Sequence, residues 1–302
     1  MFDEIHRVEC GDTVAFVVLH AVLRGRAFGG IRIRDYPNEE AALDDAKRLS
    51  RAMSRKVVMA GIDGGGAKAV MRTPRGDRAG AVRRLGAFIE SLGGRYFCGS
   101  DFGFTQDDLL VLREETKYVA CGDLGSWSAR TVRACMDVVT APNTVAIQGF
   151  GSIGRPLAEL LRGSRVIAAD LRAVAGVENV APERIYDVRC DVFAPCATGG
   201  VLDAETIPRL RCDAVCGGAN NPLATDDDAL RLRLRGITYV PDFIANSGAT
   251  IKGASTALGE AERIEPRMAA VADTLREVLA AGGPSPHHDA IRIAEARIAA
   301  LR

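Results

Sequence analysis

Six consecutive residues, Gly149-Phe150-Gly151-Ser152-Ile153-Gly154, constrain the fold of this 302-residue chain more than any other stretch. A GxGxxG spacing alone is common, but its surroundings here are specific. Thr144-Val-Ala-Ile147 reads as a buried strand, Arg155 to Leu161 as a helix, and Arg165 to Ala169 as a second strand ending at Asp170, an acid about 20 residues past the first glycine. Strand, glycine turn, helix and strand make a βαβ unit of a doubly wound parallel sheet. Gly149 permits the tight turn, Gly151 lets backbone approach a pyrophosphate, and Gly154 lets helix pack closely on strand. The helix N-terminus offers unpaired N–H groups and partial positive charge to phosphates. Asp170 is expected to accept hydrogen bonds from an adenosine ribose and to repel a 2′-phosphate, favouring NAD; Arg172 could offset that repulsion, so NADP is not excluded.

At this length two domains are expected, about 150 residues each. Hydrophobic content of 47% and charged content of 26% are those of a globular protein. Lys plus Arg and Asp plus Glu both number 39, so no overall field attracts nucleic acid or an anionic membrane. The N-terminus lacks a signal-peptide core, and no apolar run approaches the roughly 18 residues of a membrane span. The eight cysteines include no CxxC pair and have no histidine beside them, which predicts reduced thiols, no metal and a cytoplasmic location.

The chain divides near residue 130. Before it, Thr13 to Leu19 and Ile31 to Ile33 read as strands. Asn38 reads as the N-cap of a helix to about Arg55, and a second helix runs from about Asp77 to Leu92. The first helix delivers the chain to Lys56, which a glycine-rich stretch, Gly64-Gly65-Gly66-Ala67, separates from Lys68. Two amines so joined, in a chain with a dinucleotide fingerprint, suggest a site that grips a carboxylate and performs amine or imine chemistry. A partly desolvated lysine beside other positive charge loses its proton more easily, as a general base needs. Asp101, on the turn Gly99-Ser-Asp101, is the matching acid. Taken alone, these residues also fit solvated lysines and a helix cap.

Phe28-Gly-Gly-Ile-Arg32, Met53 to Lys68, Gly99-Ser-Asp101, Glu115 to Val119, the fingerprint, Cys190 to Ala197, Gly218 to Asn221 and Pro241 to Asn246 carry a likeness in order and spacing. In them the chain resembles the glutamate, leucine, phenylalanine and valine dehydrogenases, most of all the leucine/phenylalanine branch. The resemblance implies two α/β domains around a cleft. The substrate domain would be residues 1–128, braced by a C-terminal helix at 287–302, and the Rossmann domain residues 129–286. It implies oxidative deamination of an L-amino acid to the 2-oxo acid and ammonia, with the reverse reductive amination, in a homo-oligomer (dimer or higher).

By the same resemblance Lys68 and Asp101 are catalytic. Lys56 and Asn246 bind the substrate carboxylate, and Gly30, Met53, Phe28 and Gly99 line the substrate. Ser128, residues Gly149 to Gly154, Asp170, Leu171, Cys196, Ala197, Ala219, Asn220 and Asn246 face the nucleotide. Two departures stand out. Ala67 occupies a position where the family has glycine, and if that position needs a positive φ the alanine would displace the Lys68 amine. Phe28 replaces the lysine with which glutamate enzymes hold a side-chain carboxylate, while Gly99 widens what Phe28 narrows; an apolar side chain, branched or aromatic, follows. Two alternatives remain: a specialised biosynthetic dehydrogenase of an unusual amino or imino acid, and a non-catalytic NAD-binding regulatory protein.

Overall fold

A computed structural model describes residues 1–120 and 124–302. Two compact units form, Met1–Gly122 with Gly253–Ile264 and Ala294–Arg302, and Asp123–Lys252 with Glu265–Ile293.

The first unit holds strands β1 (Glu4–Glu9), β2 (Val14–Leu19), β3 (Ala27–Phe28) and β4 (Ile31–Arg34), helix α1 (Glu39–Met59), strand β5 (Gly65–Arg72), helix α2 (Arg78–Ser91), strand β6 (Tyr96–Phe97) and helix α3 (Gln106–Glu115). Its sheet is six-stranded and mixed. β1, β2 and β5 are antiparallel neighbours, while β3 and β4 run parallel to β5. β2 is an unbroken apolar run because both its faces are covered. Ala15, Val17 and Leu19 join the core with α2 and α3, whereas Val14, Phe16 and Val18 meet Ala42, Ala46 and Leu49 of α1.

Asn38 caps α1, its side chain accepting the Ala41 N–H at 2.8 Å. The helix does not stop at Arg55 as the sequence suggests. Val57, Val58 and Met59 are buried and carry it one turn further, so Lys56 is a helical residue.

The larger departure is β5, which the sequence presents as a glycine-rich loop and the structure as a central strand. Its glycines serve thinness. A Cβ on Gly65 would lie 1.9 Å from the Ala21 carbonyl oxygen, and one on Gly66 2.0 Å from the Ser54 amide nitrogen. Ala67 does not have a positive φ, which removes the strain expected of it. Strand alternation turns Gly66, Lys68 and Val70 toward α1, and Ala67, Ala69 and Met71 into the core with α2 and α3. The Ala67 methyl is therefore buried packing. Ala67→Gly is expected to leave turnover unchanged and to cost about 0.5–1 kcal/mol of stability in urea unfolding.

The second unit begins with α4 (Gly125–Val139), which includes Ser128. There follow β7 (Thr144–Gln148), α5 (Gly154–Leu160), β8 (Arg165–Ala169), β9 (Glu178–Asn179), β10 (Val192–Pro195), β11 (Ala214–Val215), α6 (Asp228–Leu234), β12 (Thr238–Tyr239), α7 (Asp242–Ala245), α8 (Gly248–Ala257), α9 (Ile264–Ala280) and α10 (Pro286–Leu301), of which α8 from Gly253 on and α10 from Ala294 on belong to the first unit. All pairings in this sheet are parallel, in the order β12-β11-β10-β7-β8-β9. The winding reverses at β7, the glycine-turn strand. Doubly wound sheets bind ligands outside the C-terminal strand ends at such a reversal.

His287 opens α10 but is buried, its Nε2 2.9 Å from Asp226 Oδ1. Among the described residues no helix is long and apolar enough to cross a membrane, and no side-chain cluster could hold a metal ion.

Candidate active site

Lys68 hangs from the middle of β5, 5% exposed, with its Nζ 2.8 Å from Asp101 Oδ2. Asp101 follows β6 on a segment fastened to β4, where Ile31 N–H donates to the Gly99 carbonyl at 2.8 Å. Gly30 leaves room for the pair: a Cβ there would stand 2.9 Å from Asp101 Cβ and 3.1 Å from Lys68 Nζ. A second cation shares the same carboxylate oxygen. Arg32 Nε donates to Asp101 Oδ2 at 3.0 Å, and Arg32 Nη1 donates to Asp45 Oδ2 at 3.1 Å. Asp45 in turn accepts from the Tyr36 hydroxyl and from Arg48, each at 2.6 Å.

Sequence reasoning missed Arg32, Asp45 and Tyr36 as parts of the site. The available signal was alternation: two residues past Gly30 on an extended segment, Arg32 shares Gly30's face.

Burial lowers the Lys68 pKa; the Asp101 carboxylate opposes this and Arg32 reinforces it. For Asp101 burial pushes upward, but the Lys68 and Arg32 charges outweigh it and hold the carboxyl well below the usual range. Asp101 therefore adds stability above its ordinary pKa of 3.8, and that contribution is lost as pH falls through the lower folded value. If Lys68 must be neutral to act, kcat/KM should rise with pH along a limb below 10.5, the ordinary lysine value. In Arg32→Gln that limb is expected to move to higher pH, because a cation that lowers Lys68 is gone. A pH profile of kcat/KM checks both.

Met53 and Lys56 lie three residues apart on α1, hence on one side of it, and both are half-buried. Phe28 is 4% exposed, stacked on Phe97 with ring centroids 5.3 Å apart, and a Cβ on Gly64 would be 2.5 Å from its ring. Gly99 is different. A Cβ there meets Ala120 only at ordinary contact, 3.7 Å, so packing among the described residues does not demand glycine.

In the second unit the fingerprint glycines fill distinct roles. Gly149 has φ +91°, and a Cβ on it would come 2.7 Å from Ala197 Cβ. Around Gly151 a Cβ would meet nothing within 4 Å, leaving its backbone open to a ligand, while at Gly154 it would strike the Gly149 carbonyl at 2.1 Å. Ser152 is exposed and Phe150 buried. Asp170 Oδ2 accepts the Phe150 N–H at 2.6 Å, and this bond, aided by the Leu171 and Arg172 amides, lowers its pKa. Leu171 is 96% exposed.

Beyond the ends of β10 and β11 stand Cys196 with Ala197, and Ala219 with Asn220. Asn246, just after α7, donates through Nδ2 to the Gly218 carbonyl at 3.1 Å and to Asn220 Oδ1 at 2.9 Å. Its Oδ1 is buried and has no hydrogen-bond partner among the described residues. A buried carbonyl without a donor costs about 1–3 kcal/mol and suits an incoming N–H, such as that of a nicotinamide carboxamide or an amine. Ser128 is tied to this residue: its hydroxyl donates to the Asn246 carbonyl at 3.2 Å and accepts the Ala249 N–H at 3.3 Å.

A parallel doubly wound sheet in one unit and a buried lysine–carboxylate pair in the other define an α/β oxidoreductase for an amine-bearing substrate. Comparison with known proteins narrows the class. A family profile described as Glu/Leu/Phe/Val dehydrogenase, dimerisation domain, matches residues 6–120, and one described as Glutamate/Leucine/Phenylalanine/Valine dehydrogenase matches residues 169–281. Leucine dehydrogenase of Thermoactinomyces intermedius is 36% identical over 95% of this chain and 88% of its own length. Phenylalanine dehydrogenase of Caldalkalibacillus thermarum is 35% identical, covering 92% of this chain and 86% of its own. The crystal structure of L-tryptophan dehydrogenase from Nostoc punctiforme superposes with a TM-score of 0.85 at 31% identity, covering 99% of this chain and 96% of that one. The chain belongs to the Glu/Leu/Phe/Val dehydrogenase family and is an amino acid dehydrogenase.

Proposed function

We propose that the chain oxidises an apolar L-amino acid, branched or aromatic, to its 2-oxo acid and ammonia with NAD, and runs the reverse reductive amination. The observation that carries this reading is the buried Lys68–Asp101 pair. The Lys56 ammonium takes the substrate carboxylate. Once Lys68 is neutral, Asp101 loses the charge that holds it most acidic and can accept a proton from the substrate ammonium. NAD, which the Gly149–Gly154 turn and Asp170 would hold, would supply the hydride acceptor for the α-hydrogen, and the substrate would be left as an iminium. Lys68 then takes a proton from water as the water oxygen adds to the iminium carbon, and passes that proton to solvent; Asp101 returns a proton to nitrogen, and ammonia departs as Lys68, neutral again, draws the hydroxyl proton. In the second unit we assign Asn246, held by Ser128, an acceptor role toward the nucleotide through its buried Oδ1; carboxylate binding would require one of its Nδ2 bonds to Gly218 or Asn220 to be given up.

Glutamate is disfavoured because Phe28 offers its side-chain carboxylate no cation. Of the alternatives, the non-catalytic reading is disfavoured by the likeness to amino acid dehydrogenases, and Ala67, without a positive φ, lends it no support. Growth of reduced-nicotinamide absorbance across a panel of L-amino acids, with NAD and with NADP, tests the reading. Nucleotide binding without turnover of any amino acid would sink it. Gly99→Ala should keep its melting temperature and lower kcat/KM for aromatic relative to branched substrates by about tenfold. We further propose a homo-oligomer acting in the cytoplasm, which light scattering and fractionation would check.

A further inference from the structure

Strands β10 and β11 are entered by the same tripeptide, Arg189-Cys190-Asp191 and Arg211-Cys212-Asp213. The two copies are in parallel register. Arg189 bridges Arg211, Val192 pairs with Ala214, and Cys190 N–H donates to the Arg211 carbonyl at 3.1 Å. Like therefore stands beside like, with the two cysteines on adjacent parallel strands in matching register. Adjacent strands lie about 4.8 Å apart, within the roughly 4.4–6.8 Å Cα separation of disulfides.

Both cysteines open on one cavity of about 640 Å³ at the N-terminal strand ends, the edge opposite the Gly149 turn. Arg165, Arg189, Arg211 and Arg235 line it together with Asp191 and Asp213. Arg165 is paired with Glu178, and Arg235 donates to the Ile207 and Leu210 carbonyls, so the exposed Arg189 and Arg211 carry most of the attraction for an anion. Cys190 is 7% exposed and Cys212 half-buried, which makes Cys212 the point of entry. Other thiols differ: burial pushes Cys98 and Cys135 up to about 12. In the pair it is the Cys190 thiol that is lowered, chiefly by its neighbour Cys212, while Cys212 is raised.

We propose that Cys190 and Cys212 form a modification site for an anionic low-molecular-weight disulfide. A thiolate of the pair attacks one sulfur of the small disulfide, forming a mixed disulfide and releasing one small thiolate. The second cysteine, giving up its proton, attacks the mixed disulfide and releases the other. Two protein thiols are oxidised to one disulfide, and the small disulfide is reduced to two thiols. The site is independent of the catalytic reading.

The test treats the whole protein with glutathione disulfide and maps peptides by mass spectrometry. Cys190→Ser/Cys212→Ser serves as background for the remaining cysteines, including Cys121, which lies outside the described residues. The expected result is a cross-link between the Cys190 and Cys212 peptides, reversed by reductant, with a single glutathionyl group trapped in each single Cys→Ser variant. Neutral hydroxyethyl disulfide should react about tenfold more slowly at low salt, and Arg189→Gln/Arg211→Gln should abolish that difference. An unmodified pair, or two glutathionyl groups without a cross-link, overturns the proposal. Equal rates for neutral and anionic disulfides overturn the part assigned to the arginines.

Discussion

Lys68→Ala is expected to lower kcat/KM for oxidative deamination by on the order of 10⁴, with nucleotide affinity and fold retained. Positioned acid–base groups contribute about 10²–10⁴, and Lys68 is asked to act at both water addition and ammonia loss, which places it at the upper end. Its removal leaves no stranded charge, because Arg32 still neutralises Asp101 at 3.0 Å. KM should change little, since the substrate carboxylate is assigned to Lys56 and the lost interactions belong to the transition state. Steady-state rates and fluorescence titration with reduced nucleotide separate the two effects. A variant within tenfold of the parent in kcat would take Lys68 out of the chemistry.

Gly66→Ala should be among the damaging single methyls in the first unit, costing about 3 kcal/mol or preventing folded protein from accumulating. The added Cβ would sit 2.0 Å from the Ser54 amide nitrogen, a contact of backbone with backbone that no rotamer relieves. Ser54 is fixed besides: its Oγ accepts the Gly66 N–H at 2.9 Å and lies 2.8 Å from His20 Nδ1. Relief would require lifting α1 from β5, and with it Lys56 from the strand that carries Lys68. Urea unfolding beside Gly99→Ala gives the comparison. Equal midpoints for the two variants would refute the close-approach account.

The nucleotide half was the more legible in sequence because its demands are local: Gly149, Gly151 and Gly154 act within one turn, and the apolar runs around them are strands buried on both faces. The substrate half was less so. The glycines of Gly64 to Gly66 suppress the β-branched signal of a strand, and what they satisfy is the approach of Ala21 and Ser54, residues remote in sequence. Lys68, Asp101 and Lys56 were found through resemblance, since spacing alone also fits solvated amines. Arg32 and Asp45 escaped because their meeting depends on β4 and α1 packing together, which neither segment announces. Helix α1 overran its predicted end because buried Val57 to Met59 outweigh the charges at Arg55 and Lys56.

The strand that bears Lys68 is paired with β2 on one edge and with β3 and β4 on the other. The amine thus has no hinge of its own and is as immobile as the core beneath it. Gly99, by contrast, sits where a methyl can come or go without a clash. With the roles proposed for Lys68 and Gly99, reaction chemistry and side-chain preference are separable in this protein: substrate range would drift at the turn before Asp101 while β5 stays as it is.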